Sequence, residues 1–363
     1  MRHGSIDVLR TVAIALMVLT HFLENLSGAT WAPAGFGAPL FAFLVGVNFR
    51  IWTLSQEAKG ATDDAIRRRA VRRGLFLFVL GFAFNVFVWL PEDTFNWDVL
   101  TMIGTAMVAL AFARGLPAGL LAFVGSVVFV LAPFLRLQAE YDAHWVNGYF
   151  ECETELPDVL IGYLATGYFP LFPWILFPLV GYLAGTVVFP DPRDGGTSPP
   201  SVRPLVRWGI VFILASAGLR ILRPHLPDPV PTALVTGWTM FPASVEYVAG
   251  VLGAALLTFA LLHVGIDRRG GLARFPALLS AARTMSQYSL TVYLLHHALH
   301  LWPLWIWGSL AGGDATQFWR NALPEWAAVI LAGVCFVVCD ALFREMSRRE
   351  WPSVESAIRW ICD

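Results

Sequence analysis

The chain has 363 residues, 57% of them hydrophobic and 14% charged, with a formal net charge of −1. A soluble globular protein averages about 45–50% apolar and about 25% charged residues. This chain has too little polar surface to coat a soluble globule, which argues against a soluble enzyme or a disordered protein. The near-zero charge lacks the basic footprint of a nucleic-acid binder. What remains is an all-α polytopic membrane protein, because the apolar residues come in long blocks and not in the weak alternation of a membrane barrel.

The blocks predict about ten transmembrane helices, at 6–26, 37–54, 74–90, 99–113, 116–135, 168–189, 208–223, 243–263, 286–305 and 325–343. They read as one transmembrane domain over 1–363, with six helices in 1–189 and four in 208–363. The stretch 190–207, containing PDPRDGGTSPPSVRP, is expected as a flexible linker. Alternate connections are rich in arginine: Arg2, the run Lys59 to Arg73, Arg114, Arg193, Arg203, Arg207, Arg268, Arg269, Arg274, Arg283 and Arg344 onward. The positive-inside rule then places both termini in the cytoplasm of a multi-pass cell-membrane protein. Fewer arginines (Arg136, Arg220, Arg223, Arg320) fall on the other side. That side collects Glu92, Asp93, Asp98, Glu140, Asp142, Glu151, Glu153, Glu155 and Asp158. Such acidic loops suit solvated connections, or a vestibule that attracts an amine. Residues 11–20 followed by Ser27-Gly28-Ala29 imitate a signal peptide. Asp7, His21 and Glu24 argue against cleavage.

Ionisable residues inside a span are costly and mark a pathway or site by default. The first helix, SIDVLRTVAIALMVLTHFLEN, carries Asp7, Arg10, His21 and Glu24. Arg10 and His21 are eleven residues apart, which at about 100° per residue returns to within about 20° of one face and separates them by about 16 Å. Asp7 lies near the same stripe. A structural Asp7–Arg10 pair with a satisfied histidine is the bland alternative.

Next in order comes AIRRRAVRRG, a first-loop cluster of Arg67, Arg68, Arg69, Arg72 and Arg73. It serves either as positive-inside anchoring or as a guanidinium clamp for phosphate. No Walker or Rossmann glycine pattern accompanies it. Asn48 and Asn85 are expected in helix–helix hydrogen bonds. The segment YLATGYFPLFPWILFP is broken by Pro170, Pro173 and Pro178 and carries Trp174, and such breaks are tolerated where they line a cavity or are packed in protein.

In the ninth helix, SQYSLTVYLLHHALHLW, His296 and His300 share a face at i,i+4, and His297 adjoins them. That is also metal-ligand spacing. No carboxylate accompanies it in the helix, so substrate or helix contacts are expected and no metal. Asp340 and Arg344 form an i,i+4 pair in the tenth helix. Of four cysteines (Cys152, Cys335, Cys339, Cys362), the middle two sit one turn apart and read as core residues.

The ordered set SIDVLRTVAIALMVLTHF, APLFAFLVGVNF, RRRAVRRG, VLTMIGTA, FPLFPWILFPLVGYLAG and SLTVYLLHH resembles membrane proteins related to heparan-α-glucosaminide N-acetyltransferase, over roughly residues 4–300. The Arg10…His21 spacing also resembles the acyltransferase-3 proteins. The resemblance implies transfer of an acyl group, usually acetyl, from cytosolic acyl-CoA to a sugar hydroxyl or amine across the membrane. It implies His21 as the catalytic histidine, by its match to acyltransferase-3. In the heparan enzyme that histidine lies in the loop after the first helix, and Leu26 to Gly37 contains none here.

The expected mechanism uses His21 as general base with Glu24 one turn on. His296, His297, His300 and Trp174 are the expected oxyanion or acceptor contacts. Asp7, Arg10 and Arg67 to Arg73 are the expected coenzyme contacts. Acetyl-CoA is the expected co-substrate, with the bilayer, a glycan acceptor and a homodimer as candidate partners. Two rivals stand beside it: a proton-coupled transporter using the same buried stripe, and a non-catalytic envelope protein.

Overall fold

The computed structural model describes residues 2–89, 94–191, 200–227, 236–312 and 322–363. Glu92, Asp93, Arg193, Arg320 and residues 192–199 of the expected linker at 190–207 lie outside the described residues. The chain is a helical membrane protein. Among the described residues, eight helical segments are long and apolar enough to cross a bilayer: 4–27, 32–58, 63–87, 118–138, 156–188, 203–225, 245–268 and 325–348. Two expected spans fall outside that set. Helix Val99–Ala113 has only 15 residues, short of the roughly 20 that a bilayer needs. The ninth helix is long enough, but its three histidines lower its hydropathy. Phe87, Leu214, Leu261 and Val337 are well exposed on helix surfaces, as lipid-facing side chains are.

The chain packs into two compact units. The first is residues 42–261. It contains most of α2 (Gly37–Ala58), then α3 (Asp63–Phe87), α4 (Val99–Ala113) and α5 (Ala118–Gln138). A two-residue hairpin follows, β1 (Trp145–Val146) with β2 (Tyr149–Phe150). Its Asn147-Gly148 turn has φ of 53° and 83°, the pair of positive φ values that an Asn-Gly hairpin turn supplies. Then come α6 (Leu156–Ile161), α7 (Leu171–Trp174), α8 (Leu176–Val188), α9 (Arg203–Leu222) and α10 (Val245–Leu262).

Helix α3 starts well before residue 74. Thr62 Oγ1 accepts from the Ala65 amide and caps it, so the arginine run expected as a loop is the first part of a helix. Helices α2 and α8 cross with almost no space between backbones. A Cβ at Gly46 would fall on the Pro178 carbonyl, and one at Gly181 on the Phe43 carbonyl. Small residues allow that approach in membranes, where dispersion and not water exclusion drives helix association.

The second unit is residues 2–41 with 262–361. It contains α1 (Gly4–Ser27), α11 (Pro276–Gln287), α12 (Ser289–Leu310), α13 (Glu325–Arg348) and α14 (Val354–Cys362). The expected span 286–305 is thus preceded by a separate helix, the break falling at Tyr288. Helix α1 packs on α11, α12 and α13. Its Ile14, Val18 and Phe22 share a core with Met285, Val292, Cys335, Cys339 and Phe343. Gly28, at φ 68°, ends α1 in the left-handed conformation that glycine adopts without strain.

Candidate active site on helices α1 and α12

The second unit builds its polar interior along α1. At the start of that helix, Asp267 fixes the backbone. Its carboxylate accepts from the Ser5 amide (3.0 Å), from the Ser5 hydroxyl, and from His263 Nδ1 (3.0 Å). Burial holds the neighbouring His3 imidazole below its ordinary 6.5, against the opposing pull of Asp267.

Asp7 and Arg10 are not hydrogen-bonded to each other. Arg2 takes the buried Asp7 carboxylate through two contacts, 2.8 and 3.3 Å. Arg10 Nη1 instead donates to the carbonyl (3.0 Å) and hydroxyl (3.2 Å) of Ser286. The bland alternative of an Asp7–Arg10 pair is therefore not what forms, because each side chain finds a partner outside α1. Spacing along one helix does not reveal such partners.

Four imidazoles gather further along α1 and α12. The His21 ring lies 4.4 Å from the His297 ring and 5.4 Å from that of His296, centroid to centroid. The rings of His296 and His297 are 4.1 Å apart. His21, His296 and His297 each offer a nitrogen within 4.8 Å of the others. His296, His297 and His300 are buried, while His21 is half-buried.

The hydrogen bonds assign the tautomers. A carbonyl oxygen only accepts, so a ring nitrogen facing one carries the proton. His296 Nδ1 faces the Val292 carbonyl at 3.1 Å. Its Nε2 therefore carries a bare lone pair, buried and without a hydrogen-bond partner. His300 Nδ1 donates to the His296 carbonyl (2.6 Å), and its Nε2 accepts from Asn25 Nδ2 (2.8 Å). Both nitrogens of His300 are engaged, so this side chain holds the cluster and leaves no free edge for an acceptor. A neutral His296 likewise presents a lone pair where an oxyanion would need a donor.

Glu24, half-buried, lies one turn beyond His21 on α1. Helix α12 is held from its own N-terminus. Glu355 of α14 accepts from the amides of Leu290 (2.8 Å) and Thr291 (3.0 Å) and from the Thr291 hydroxyl (2.7 Å). Asn25, Ser286 and Glu355 are the site-supporting residues that spacing missed. For Asn25 a signal existed, since an amide inside a span is itself expensive.

The remaining expected residues belong to the first unit. The five arginines divide by role. Arg67 and Arg68 both pair with Asp64, Arg68 at 2.5 Å. Arg69 donates to Gln56 Oε1 (2.7 Å), and Arg73 lies over the Trp52 ring at 4.9 Å. Arg67, Arg68 and Arg72 line an open recess of about 290 Å³ with Val71 and Phe112. Trp174 is completely buried between Phe169 and Phe177. Asp98, expected in an acidic loop, caps α4 by accepting from the Leu100 amide (2.8 Å). Asn48 bonds back to the Leu44 carbonyl of its own helix.

None of the curated proteins compared with the chain matches it. The family model described as heparan-alpha-glucosaminide N-acetyltransferase, catalytic, matches residues 2–215. That span contains His21, the arginine run and Trp174, and it stops short of α12. A match over more than half of a helical membrane protein places this chain in the heparan-alpha-glucosaminide N-acetyltransferase catalytic family, a family of membrane acetyltransferases.

Proposed function

We propose that the protein is a cell-membrane acyltransferase that takes an acyl group, acetyl above all, from cytosolic acyl-CoA and delivers it to a sugar amine or hydroxyl on the far side. The observation that carries this reading is the half-buried His21 set against His296 and His297 at the heart of one unit. His21 accepts the proton of the attacking amine or hydroxyl. The acceptor's nitrogen or oxygen bonds to the thioester carbonyl, and the tetrahedral intermediate expels the coenzyme thiolate. The bare Nε2 of His296 supplies a second proton acceptor beside His21, and Glu24 orients the pair. Arg67, Arg68 and Arg72 take the coenzyme's phosphates, as guanidinium forks do.

The test is acetyl transfer from acetyl-CoA to glucosamine and related amino sugars by the purified protein. Wild-type turnover that is lost in both His21→Ala and His21→Gln is the expected result. Unchanged turnover in both variants refutes the assignment of His21. Thermal stabilisation by acetyl-CoA separates this reading from a transporter, which has no use for the coenzyme.

A further inference from the structure

The trio on α1 and α12 has a property that acyl transfer does not require. His21, His296 and His297 present three ring nitrogens within 4.8 Å of one another. A tetrahedral ion bound at about 2.0–2.1 Å would bring three imidazole nitrogens to roughly 3.3 Å apart. Closing that difference is the side-chain adjustment that an ion would have to induce. The group contains imidazoles alone, with no carboxylate or thiolate.

His296 has the arrangement of a ligand in waiting. Metal-bound histidines characteristically donate their second ring N–H to a carbonyl, which fixes the tautomer and aims the lone pair. His296 does this through Nδ1 and Val292, and its aimed Nε2 is buried with no hydrogen bond. His300 and Asn25 brace the helix behind it, with His300 donating to the His296 carbonyl. His21 is the least buried of the three, and sites with three protein ligands keep their fourth position for water or substrate.

We propose that His21, His296 and His297 form a three-nitrogen site for a borderline divalent cation of the Zn²⁺ type. Neutral imidazoles favour Zn²⁺, Cu²⁺ or Ni²⁺ over Mg²⁺ and Ca²⁺, which prefer oxygen. A consequence follows for the reaction. The His21 lone pair that accepts the acceptor's proton is the one a metal ion would take, so cation and turnover exclude each other and the site is inhibitory. This consequence rests on the acyl-transfer reading, whereas the binding does not.

The experiment uses full-length protein in detergent, freed of any histidine tag and stripped with EDTA. Zn²⁺ is titrated calorimetrically, and Co²⁺ by visible absorption. The expected results are one equivalent per chain and the d–d bands of tetrahedral Co²⁺. His296→Ala should weaken Zn²⁺ binding by more than the roughly 10–100-fold that loss of a supporting partner costs. His300→Gln should keep the full stoichiometry. If His296→Ala fails to fold, His21→Ala, altered at a half-buried position, provides the same readout. No stoichiometric binding by wild type, or unchanged binding in His21→Ala, overturns the site. Turnover should fall roughly 10²–10⁴-fold at full Zn²⁺ occupancy, the contribution of a positioned base, and return with EDTA. Turnover that ignores bound Zn²⁺ refutes the inhibition. Stoichiometric Zn²⁺ binding with no turnover in the stripped enzyme leaves the metal site standing and removes the acyl-transfer reading.

Discussion

Asn25 donates from Nδ2 to Nε2 of His300 across 2.8 Å. Because His300 Nδ1 already donates to the His296 carbonyl, the Asn25 amide meets a lone pair and not a second N–H. Asn25→Leu leaves that lone pair buried without a donor. Interhelical hydrogen bonds within membranes average about 0.6 kcal/mol and reach about 1.7 kcal/mol. Asn25→Leu should therefore lower stability within that range, read as the thermal midpoint of the detergent-solubilised protein. Acetyl transfer should fall further than stability does, because the bond braces the helix that carries His296 and His297. A variant with unchanged midpoint and turnover would show that the brace is dispensable.

The loss of a positioned general base costs roughly 10²–10⁴-fold in rate. His21→Gln should reduce kcat by that factor while leaving the affinity for acetyl-CoA close to that of wild type, because the coenzyme's charged groups are assigned to other residues. Single-turnover acetyl transfer with equilibrium binding of the coenzyme measures both quantities. A His21→Gln enzyme that binds acetyl-CoA poorly but turns over at the normal rate would reverse the assignment.

Much of this could be read from the sequence, and the misses share a cause. The eleven-residue spacing of Arg10 and His21 was enough to place both on one face of α1, because helical period is local. The partners of that face lie elsewhere in the chain. Ser286 meets Arg10, and Arg2 displaces Arg10 from Asp7. The i,i+4 spacing singled out His296 with His300, whereas His296 and His297 approach His21. Spacing fixes which residues share a face and not how the helix is rotated against its neighbour. Likewise, the charge of AIRRRAVRRG argued for a loop, while the Thr62 cap and the pairing of Arg67 and Arg68 with Asp64 make it helix.

The recess formed by Arg67, Arg68 and Arg72 offers a graded test. Arg67 and Arg68 already share Asp64, so their charge is partly spent within α3, whereas Arg72 is exposed on the recess wall. Hydrogen bonds to charged groups contribute about 1.5–3 kcal/mol, and about 1.4 kcal/mol is tenfold in affinity. Arg72→Ala should thus raise KM for acetyl-CoA roughly 10–100-fold, more than it lowers kcat. Asp64→Asn, which frees two guanidinium groups, should lower KM. Unchanged KM in both variants would move the coenzyme's phosphates away from this recess.

The crossing of α2 and α8 supplies a test of the fold that is independent of chemistry. A Cβ at Gly181 would overlap the Phe43 carbonyl, a backbone atom that cannot rotate aside. Overpacking of this kind costs about 1–3 kcal/mol, sometimes more, and Gly181→Ala should lower the thermal midpoint accordingly. Gly218 of α9 has open space where its Cβ would stand. There the same substitution should be neutral or stabilising by up to about 1 kcal/mol, the helix-propensity difference. Equal behaviour of the two variants would contradict the close crossing.

Glu355 connects the last helix to the histidine helix. Its carboxylate accepts the second and third amides of α12, Leu290 and Thr291, which have no partner within the helix. A negative charge there also complements the positive end of the helix dipole. Caps of this kind contribute about 0.5–2 kcal/mol. Glu355→Ala should cost that much stability and lower acetyl transfer, because the start of α12 sets the position of His296 and His297 one to two turns further on. Glu355→Gln keeps a side-chain oxygen for the two amides and loses the charge, so it should retain more stability and more turnover than the alanine variant. If alanine and glutamine behave alike, the charge rather than the accepting oxygen is what anchors α12. If neither differs from wild type, the helix is positioned by its packing against α1 and α11 alone.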